Sequence, residues 1–352
     1  MHWNIVSPYQ DTTSNNPEGE WLLPYLPKDK HNYSLLSRRS KNVNWHERSS
    51  PVTDYREWLN LWEQSRRAVT TCQGGMVTIL PQLASVIGLQ QRFFGPQFPL
   101  VAWWFNTNLY KGYKCWLASA ALKDVNRFIV HNRLEREVYS QWLGVPINRF
   151  EFVPMPTRIL PITEQEDTER PFILSVGSAF RDYPLLFEAV KKLGLRTIVA
   201  SGPKTLEGLE IPSMVEVPLG IKNPEILSLT QRARLAVLPL RQEGLIAGTV
   251  AALEALSLGC PLIATDRPGP DDYIQHGKTG LLVRPNSLTA LVEAIDHLWH
   301  DDTLRGQMRK QSRQYAEEQL TLKAAGAALG GILDQVANEW EHSPQRLKHC
   351  IR

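Results

Sequence analysis

The 352-residue sequence predicts an α/β protein of two doubly wound halves, each a parallel sheet covered by helices on both faces. Three observations carry this expectation. Short apolar runs alternate with stretches of helical periodicity, the rhythm that a parallel sheet with crossover helices requires. A proline-rich, acidic segment interrupts that rhythm near the middle of the chain. The length itself suits about two domains, at the usual 100–200 residues each.

In the first half, residues 3–6, 68–72, 100–105, 128–130 and 150–153 read as buried strands. Asp54 is placed to cap a helix through Trp58, Leu61 and Trp62, and helical spacing recurs over 76–87, 113–122 and 133–143. From Tyr9 to about Ser50, proline, asparagine, serine and charge dominate, which predicts a long functional loop or lid. Residues 154–170 contain Pro154, Pro156 and Pro161, with Pro171 at the edge, and an acidic run over 164–169. Proline disfavours both helix and central strand, so a linker is expected over 157–170, between domains at 1–156 and 171–320. In the second half, strands at 172–176, 197–200, 215–217, 235–240, 261–264 and 281–283 alternate with helices at 184–193, 224–231, 249–258, 288–299 and 304–319. An alanine-rich helix over 322–336 follows, within a last segment at 321–352. Open α/β sheets bind ligands at the carboxyl ends of their strands, so candidates are sought there.

Lys and Arg number 39 against 36 for Asp and Glu, a net charge of +3, which gives no concentrated basic face for nucleic acid. Cysteines at 72, 115, 260 and 350 show no C-x-x-C spacing, so neither structural zinc nor a disulfide framework is expected and a reducing compartment fits. No run approaches the 18 apolar residues of a membrane span, and the start lacks a basic region followed by an apolar one. A cytoplasmic location is expected, with peripheral contact at a membrane surface left open. Arg38-Arg39-Ser40-Lys41, near Trp45, suits acidic lipid head groups as well as a solvated loop. Nine of the eleven tryptophans precede residue 150, which suits sugar rings, an amphipathic acceptor or plain core packing.

The densest chemical signal runs from Leu238 to Asp266: a buried strand, a glycine-containing turn, then a helix. Free N–H groups at the helix start, near Gly248, Thr249 and Val250, can hold an anion, helped by the helix dipole. Glu254, further into that helix, can accept paired hydrogen bonds from the vicinal hydroxyls of a sugar. An ordinary Thr cap and a solvated Glu explain the same residues. The second signal, Gly177-Ser178-Ala179-Phe180-Arg181-Asp182, is again a strand end, a small-residue loop and a helix start. Arg181 offers a planar fork that matches phosphate oxygens, or else pairs with Asp182 in a turn. Lys204, after Ser201-Gly202-Pro203, is a further positive charge near the same strand ends. Asp266, Asp271 and Asp272 sit where turns and helix starts favour acids anyway, so no metal is expected.

These residues resemble the donor-binding domain of GT-B glycosyltransferases, specifically the large retaining family four. The resemblance rests on Glu254-Ala255, Gly259-Cys260-Pro261-Leu262-Ile263-Ala264-Thr265-Asp266, Pro268-Gly269 and Gly277-Lys278-Thr279-Gly280-Leu281-Leu282-Val283, in order over about 171–300. It implies two Rossmann-like domains facing a cleft, with the last helix crossing back to the first domain. It also implies transfer of a sugar, with retention, from a nucleotide diphosphate sugar to a glycan or lipid-linked acceptor, with no metal or other cofactor. Donor contacts are then expected from Gly177, Ser178, Arg181, Lys204, Glu243, Gly248, Thr249, Val250 and Glu254, with Arg181, Gly248 and Thr249 closest to the chemistry. Two positions depart from the family pattern. Ser178 stands where the family has a basic residue, and Ile246 stands where its first glutamate touches the donor sugar, the nearest acid being Glu243. A nucleotide-sugar 2-epimerase or a non-catalytic scaffold on the same fold are the other readings. On the acceptor side, Gly74 and Gly75 are expected between a strand and a helix, facing the cleft. Asn106 ends the next strand where relatives carry histidine, and His131 ends the one after.

Overall fold

The computed structural model describes residues 1–10, 22–38, 54–94, 97–243 and 246–343. The chain divides into two compact units, Met1–Val153 with Leu322–Arg352, and Pro154–Thr321.

The sheet of the first unit comprises β1 (His2–Gln10), β2 (Asn32–Arg38), β3 (Gly75–Ile79), β4 (Leu100–Trp103), β5 (Arg127–Val130) and β6 (Phe150–Phe152). The strands lie in the order β2-β1-β3-β4-β5-β6, with every pairing parallel. Helices α1 (Tyr55–Thr71), α2 (Pro81–Phe94), α3 (Tyr113–Leu122) and α4 (Arg133–Leu143) follow in the chain. Leu61, Leu83, Ile87 and Tyr139 from these helices pack with Val6, Met76, Phe128 and Phe150 of the sheet in one apolar core. Phe128 stacks on Phe150 with centroids 4.6 Å apart, and Phe105 meets Phe128 edge-on at 4.8 Å.

Three expectations change in this unit. Residues 68–72, read as a strand, form the last turn of α1, and the helix expected from Met76 begins as β3. The two β-branched runs compete for one strand. Asp54 settles the matter by accepting from Glu57 N–H and starting a helix whose buried Leu61, Ala68 and Val69 share a face. Gly74 consequently precedes β3 and Gly75 opens it, at the amino edge of the sheet, rather than facing a ligand at its carboxyl edge. A Cβ on Gly74 would lie 2.2 Å from the His2 carbonyl oxygen, and one on Gly75 2.4 Å from the Trp3 ring. Both glycines serve the close approach of β1. Finally, the polar stretch read as a loop contains β2, an edge strand whose Asn32, Ser34 and Ser37 masked its pairing with β1. Trp21, Trp45, Arg39 and Lys41 lie outside the described residues, while Arg38 is buried in a bidentate pair with Glu57.

The sheet of the second unit comprises β7 (Ile173–Val176), β8 (Thr197–Ala200), β9 (Val215–Glu216), β10 (Leu235–Leu238), β11 (Leu262–Thr265) and β12 (Leu281–Val283). Their order, β12-β11-β10-β7-β8-β9, reverses direction between β10 and β7. Helices α5 (Tyr183–Leu193), α6 (Pro203–Leu206), α7 (Asn223–Arg232), α8 (Thr249–Ser257), α9 (Leu288–His300) and α10 (Asp302–Gln319) cover it. Residues 157–170, expected as a linker, are strapped onto this unit. Thr157 N–H donates to the Leu320 carbonyl, Asp167 N–H to that of Arg232, and Thr163 N–H to Gln231 Oε1. The acids find cations there, with Glu166 2.9 Å from both Arg234 and Arg309.

The last helix, α11 (Leu322–Glu341), returns to the first unit. Its Leu329, Leu333 and Val336 cover the sheet face opposite α1–α4, against Trp3, Val101 and Ile129. Lys30 and His31 hold it from outside, at 2.7 and 2.8 Å from the Asp334 carboxylate.

Candidate functional site

The carboxyl ends of β7 and β10 are joined in the second unit. After β7 the chain turns at Gly177, with φ +104°, and Arg181 forms an antiparallel bridge to Leu240, just beyond β10. Asp182 N–H donates to the Pro239 carbonyl and Arg241 N–H to that of Phe180. Gly248, at the start of α8, packs on the same segment, since a Cβ there would lie 2.9 Å from Leu238 and 3.0 Å from Leu240. Arg181 and Gly248 thus flank one residue, Leu240.

Arg181 is 6% exposed and folds back over Gly177, where a Cβ would come within 2.3 Å of its guanidinium. Its Nε donates to the Val176 carbonyl and Nη1 to that of Ala179. No carboxylate lies within ion-pairing distance among the described residues, and burial pushes its pKa below the usual arginine value. A desolvated cation without a counter-charge is an electrostatic invitation to an anion.

The start of α8 complements it. Gly248 adopts a left-handed conformation at φ +83°, and no side chain caps the helix. Thr249 Oγ1 is buried with no hydrogen-bond partner among the described residues, and Val250 is 56% exposed. The Pro268-Gly269 turn closes over this helix start, a Cβ on Gly269 falling 2.6 Å from the Ala247 carbonyl oxygen. Glu254, on the next turn of α8, is half-buried beside Leu174, Val176 and Ala251, and burial raises its carboxyl pKa.

The remaining donor-side candidates lie around this pair. Ser178 Oγ accepts from Gly202 N–H at 3.0 Å and lies 3.2 Å from Ser201 Oγ, tying the β7 loop to the β8 loop. Exposed Lys204 follows Gly202 in α6. Glu243 has an exposed side chain bordering a polar hollow with Asp182, Arg241, Gln242 and Asn286. Its carbonyl accepts from Arg267 Nη1, which also bonds the Arg241 carbonyl. Sequence reasoning gave the buried Arg267 no role, although it braces the backbone just ahead of α8.

In the first unit, the strand ends after β4 and β5 converge through Glu135, in the first turn of α4, which the sequence did not single out. It is buried, accepts from Asn106 Nδ2 at 3.2 Å, and accepts from His131 N–H at 3.2 Å. His131 is buried between the edges of Trp103 and Trp104 and bonds the Val153 carbonyl at 2.7 Å. Burial lowers its pKa to about 4, so the ring is neutral at physiological pH. Asn106 is exposed, and a polar cluster with two indoles stands at this edge. The described non-glycine residues with positive φ are Leu80, Trp104, Phe180 and Asn286, and each lies within four residues past a strand's carboxyl end. Backbone strain of this kind collects at functional sites.

The chain is structurally similar to GT-B glycosyltransferases. Sucrose-phosphate synthase from Thermosynechococcus elongatus aligns with a TM-score of 0.66 at 16% identity, covering 96% of this chain and 99% of that one. Anabaena HepE in complex with UDP aligns at 0.65 and 12% identity, covering 95% and 100%. The protein therefore has the two-sheet GT-B fold. Residues 160–317 match the family model described as "Glycosyl transferases group 1". Alpha-D-kanosaminyltransferase of Streptomyces kanamyceticus is 28% identical over 182 residues, 48% of this chain and 46% of that protein. D-inositol 3-phosphate glycosyltransferase of Corynebacterium urealyticum is 30% identical over 208 residues, 55% of this chain and 45% of that protein. The aligned segments thus span under half the length of these curated relatives. Residues 160–317, within the second unit, are thus similar to group 1 glycosyltransferases.

Proposed function

We propose that this chain transfers a sugar from a nucleoside diphosphate sugar to a hydroxyl acceptor with retention of configuration, in polysaccharide or glycolipid assembly. The observation that carries the reading is the pairing of Arg181 with the uncapped start of α8 across Leu240. The N–H groups of Thr249 and Val250, the Thr249 hydroxyl and the Arg181 guanidinium hold the diphosphate, and Glu254 accepts from the ribose hydroxyls. The donor C1–O bond breaks as the acceptor oxygen bonds C1 on the same face, and the acceptor proton passes to the leaving phosphate oxygen. Arg181 and the helix start stabilise the charge that develops on that phosphate. The reading assigns no metal or other cofactor. It places Asn106 against sugar or acceptor and gives neutral His131 a part in shaping that edge.

Calorimetry with UDP and GDP, followed by product analysis with the matching sugar nucleotides, tests this. Nucleotide binding that Arg181→Gln weakens, together with an α-configured product from an α-configured donor, is the expected outcome. Binding that ignores both Arg181→Gln and Glu254→Ala defeats the assignment. Epimerised free sugar favours a 2-epimerase on this fold, and tight binding with no turnover a non-catalytic scaffold.

A further inference from the structure

The first unit exposes an aromatic face that its fold does not use. Tyr113 and Trp116 of α3 are 75% and 72% exposed, with Leu117 beside them on the same helical face. An ordinary surface helix hides its apolar stripe. In α3 only Ala121 and Leu122 are buried, while the large rings face outward. On α1, exposed Tyr55, Trp58, Leu59 and Trp62 repeat the i, i+3, i+4, i+7 spacing. Phe93, near the end of α2, is 65% exposed. Gln90 Nε2 bonds the Trp62 carbonyl and Arg92 Nη1 bonds that of Ala120, so α2 lies between α1 and α3 at this level.

Charge selects the occupant. Residues 97–123 contain Lys111, Lys114 and Lys123 and no acid at all. All three lysines are exposed, with Lys114 Nζ 5.9 Å from the Tyr110 ring centroid. Tyrosine and tryptophan rings interleaved with lysines on α3, where the next acid, Asp124, is paired with Arg92 and the exposed acid beside Trp62 is Glu63, match the interfacial zone of a bilayer whose head groups are anionic. We infer that the outer face of α1, α2 and α3 is a lipid-docking surface, with the α3 rings seated among the head groups of an anionic membrane and the lysines on its phosphates. Among the described residues no helix is long and apolar enough to cross a membrane, so this contact is peripheral.

Co-sedimentation of the full chain with phosphatidylcholine vesicles and with phosphatidylglycerol-rich vesicles, at low and high salt, is the test. The expected result is binding to the anionic vesicles alone, weakened by salt. Lys111→Gln with Lys114→Gln lowers the affinity by about fivefold per lysine. Tyr113→Ser with Trp116→Ser lowers it by about tenfold or more through lost apolar burial, with UDP affinity and melting temperature unchanged. Leu219→Ser, at an equally exposed apolar site in the second unit, leaves binding unaltered. Three results overturn the inference: no sedimentation with anionic vesicles at low salt, equal binding to both vesicle types, or binding indifferent to the α3 substitutions. Self-association that the α3 substitutions abolish, without lipid binding, assigns the face to a second copy of this chain instead.

Discussion

Helix α4, which follows β5, and helix α8, the next helix after β10, begin differently. In the first unit, α4 is capped by Asn132, whose side chain accepts from Leu134 N–H at 3.0 Å, while Glu135 one turn in takes the His131 N–H. In the second, α8 starts at left-handed Gly248 with, among the described residues, no side-chain acceptor and no partner for the buried Thr249 hydroxyl. A helix that caps itself has its donors occupied, whereas one begun by glycine keeps them for something else. The comparison sets a helix start whose donors are met by its own side chains beside one that, on the proposed function, leaves them for a diphosphate.

The most severe way to test that contrast is to give α8 the cap it lacks. Gly248→Asp places a carboxylate where the diphosphate is expected, and aspartate tolerates the left-handed conformation. UDP affinity should fall at least about 100-fold, since opposed like charges cost several kcal/mol, while the new Cβ, crowded by Leu238 and Leu240, lowers the melting temperature only modestly. Calorimetry and thermal melts together decide it. Arg181→Gln comes next: losing hydrogen bonds to a charged group, about 1.5–3 kcal/mol, should weaken UDP by about 10- to 100-fold. Gly75→Ala acts on the other unit, forcing a Cβ against Trp3, and should cost about 1–3 kcal/mol in denaturant titration while UDP affinity stays the same. A change in nucleotide binding there would break the separation between the units.

The smallest effect concerns Glu254. Its folded pKa is raised by burial, so the ionised carboxylate opposes folding at neutral pH and the penalty fades as pH falls toward the ordinary carboxylate value. Glu254→Gln should therefore stabilise the unliganded protein slightly at neutral pH and lose that advantage on acidification. In the parent protein, UDP binding should weaken as pH drops through the raised pKa, because a protonated carboxyl accepts ribose hydrogen bonds less well; the Gln variant should lack this slope.

The second unit was largely legible because its strands are continuous apolar runs punctuated by glycine, and its site residues follow one another within short loops. Thr197–Ala200 and Leu281–Val283 appear with the bounds the sequence suggests. The first unit resisted for two physical reasons. Its β-branched runs at 68–72 and 76–79 fit strand or helix equally until the Asp54 cap decides between them, and that choice moves Gly74 and Gly75 to the opposite edge of the sheet. Glu135 carries no local signal, since a glutamate in a first helical turn is commonplace, and only the convergence of β4 and β5 brings Asn106 and His131 to it. The bridge between Arg181 and Leu240 is likewise a property of neighbouring strands, 59 positions apart in the chain and invisible to spacing alone.

The returning helix α11 sets the order in which this polypeptide can mature on the ribosome. Pro154–Thr321 is one uninterrupted stretch and can complete its fold as soon as it emerges. The earlier-made sheet cannot, because Leu329, Leu333 and Val336, which shield Trp3, Val101 and Ile129 from water, are translated afterwards. The amino-terminal portion therefore waits, with one apolar flank bare and open to chaperones, until synthesis has passed the whole of its neighbour.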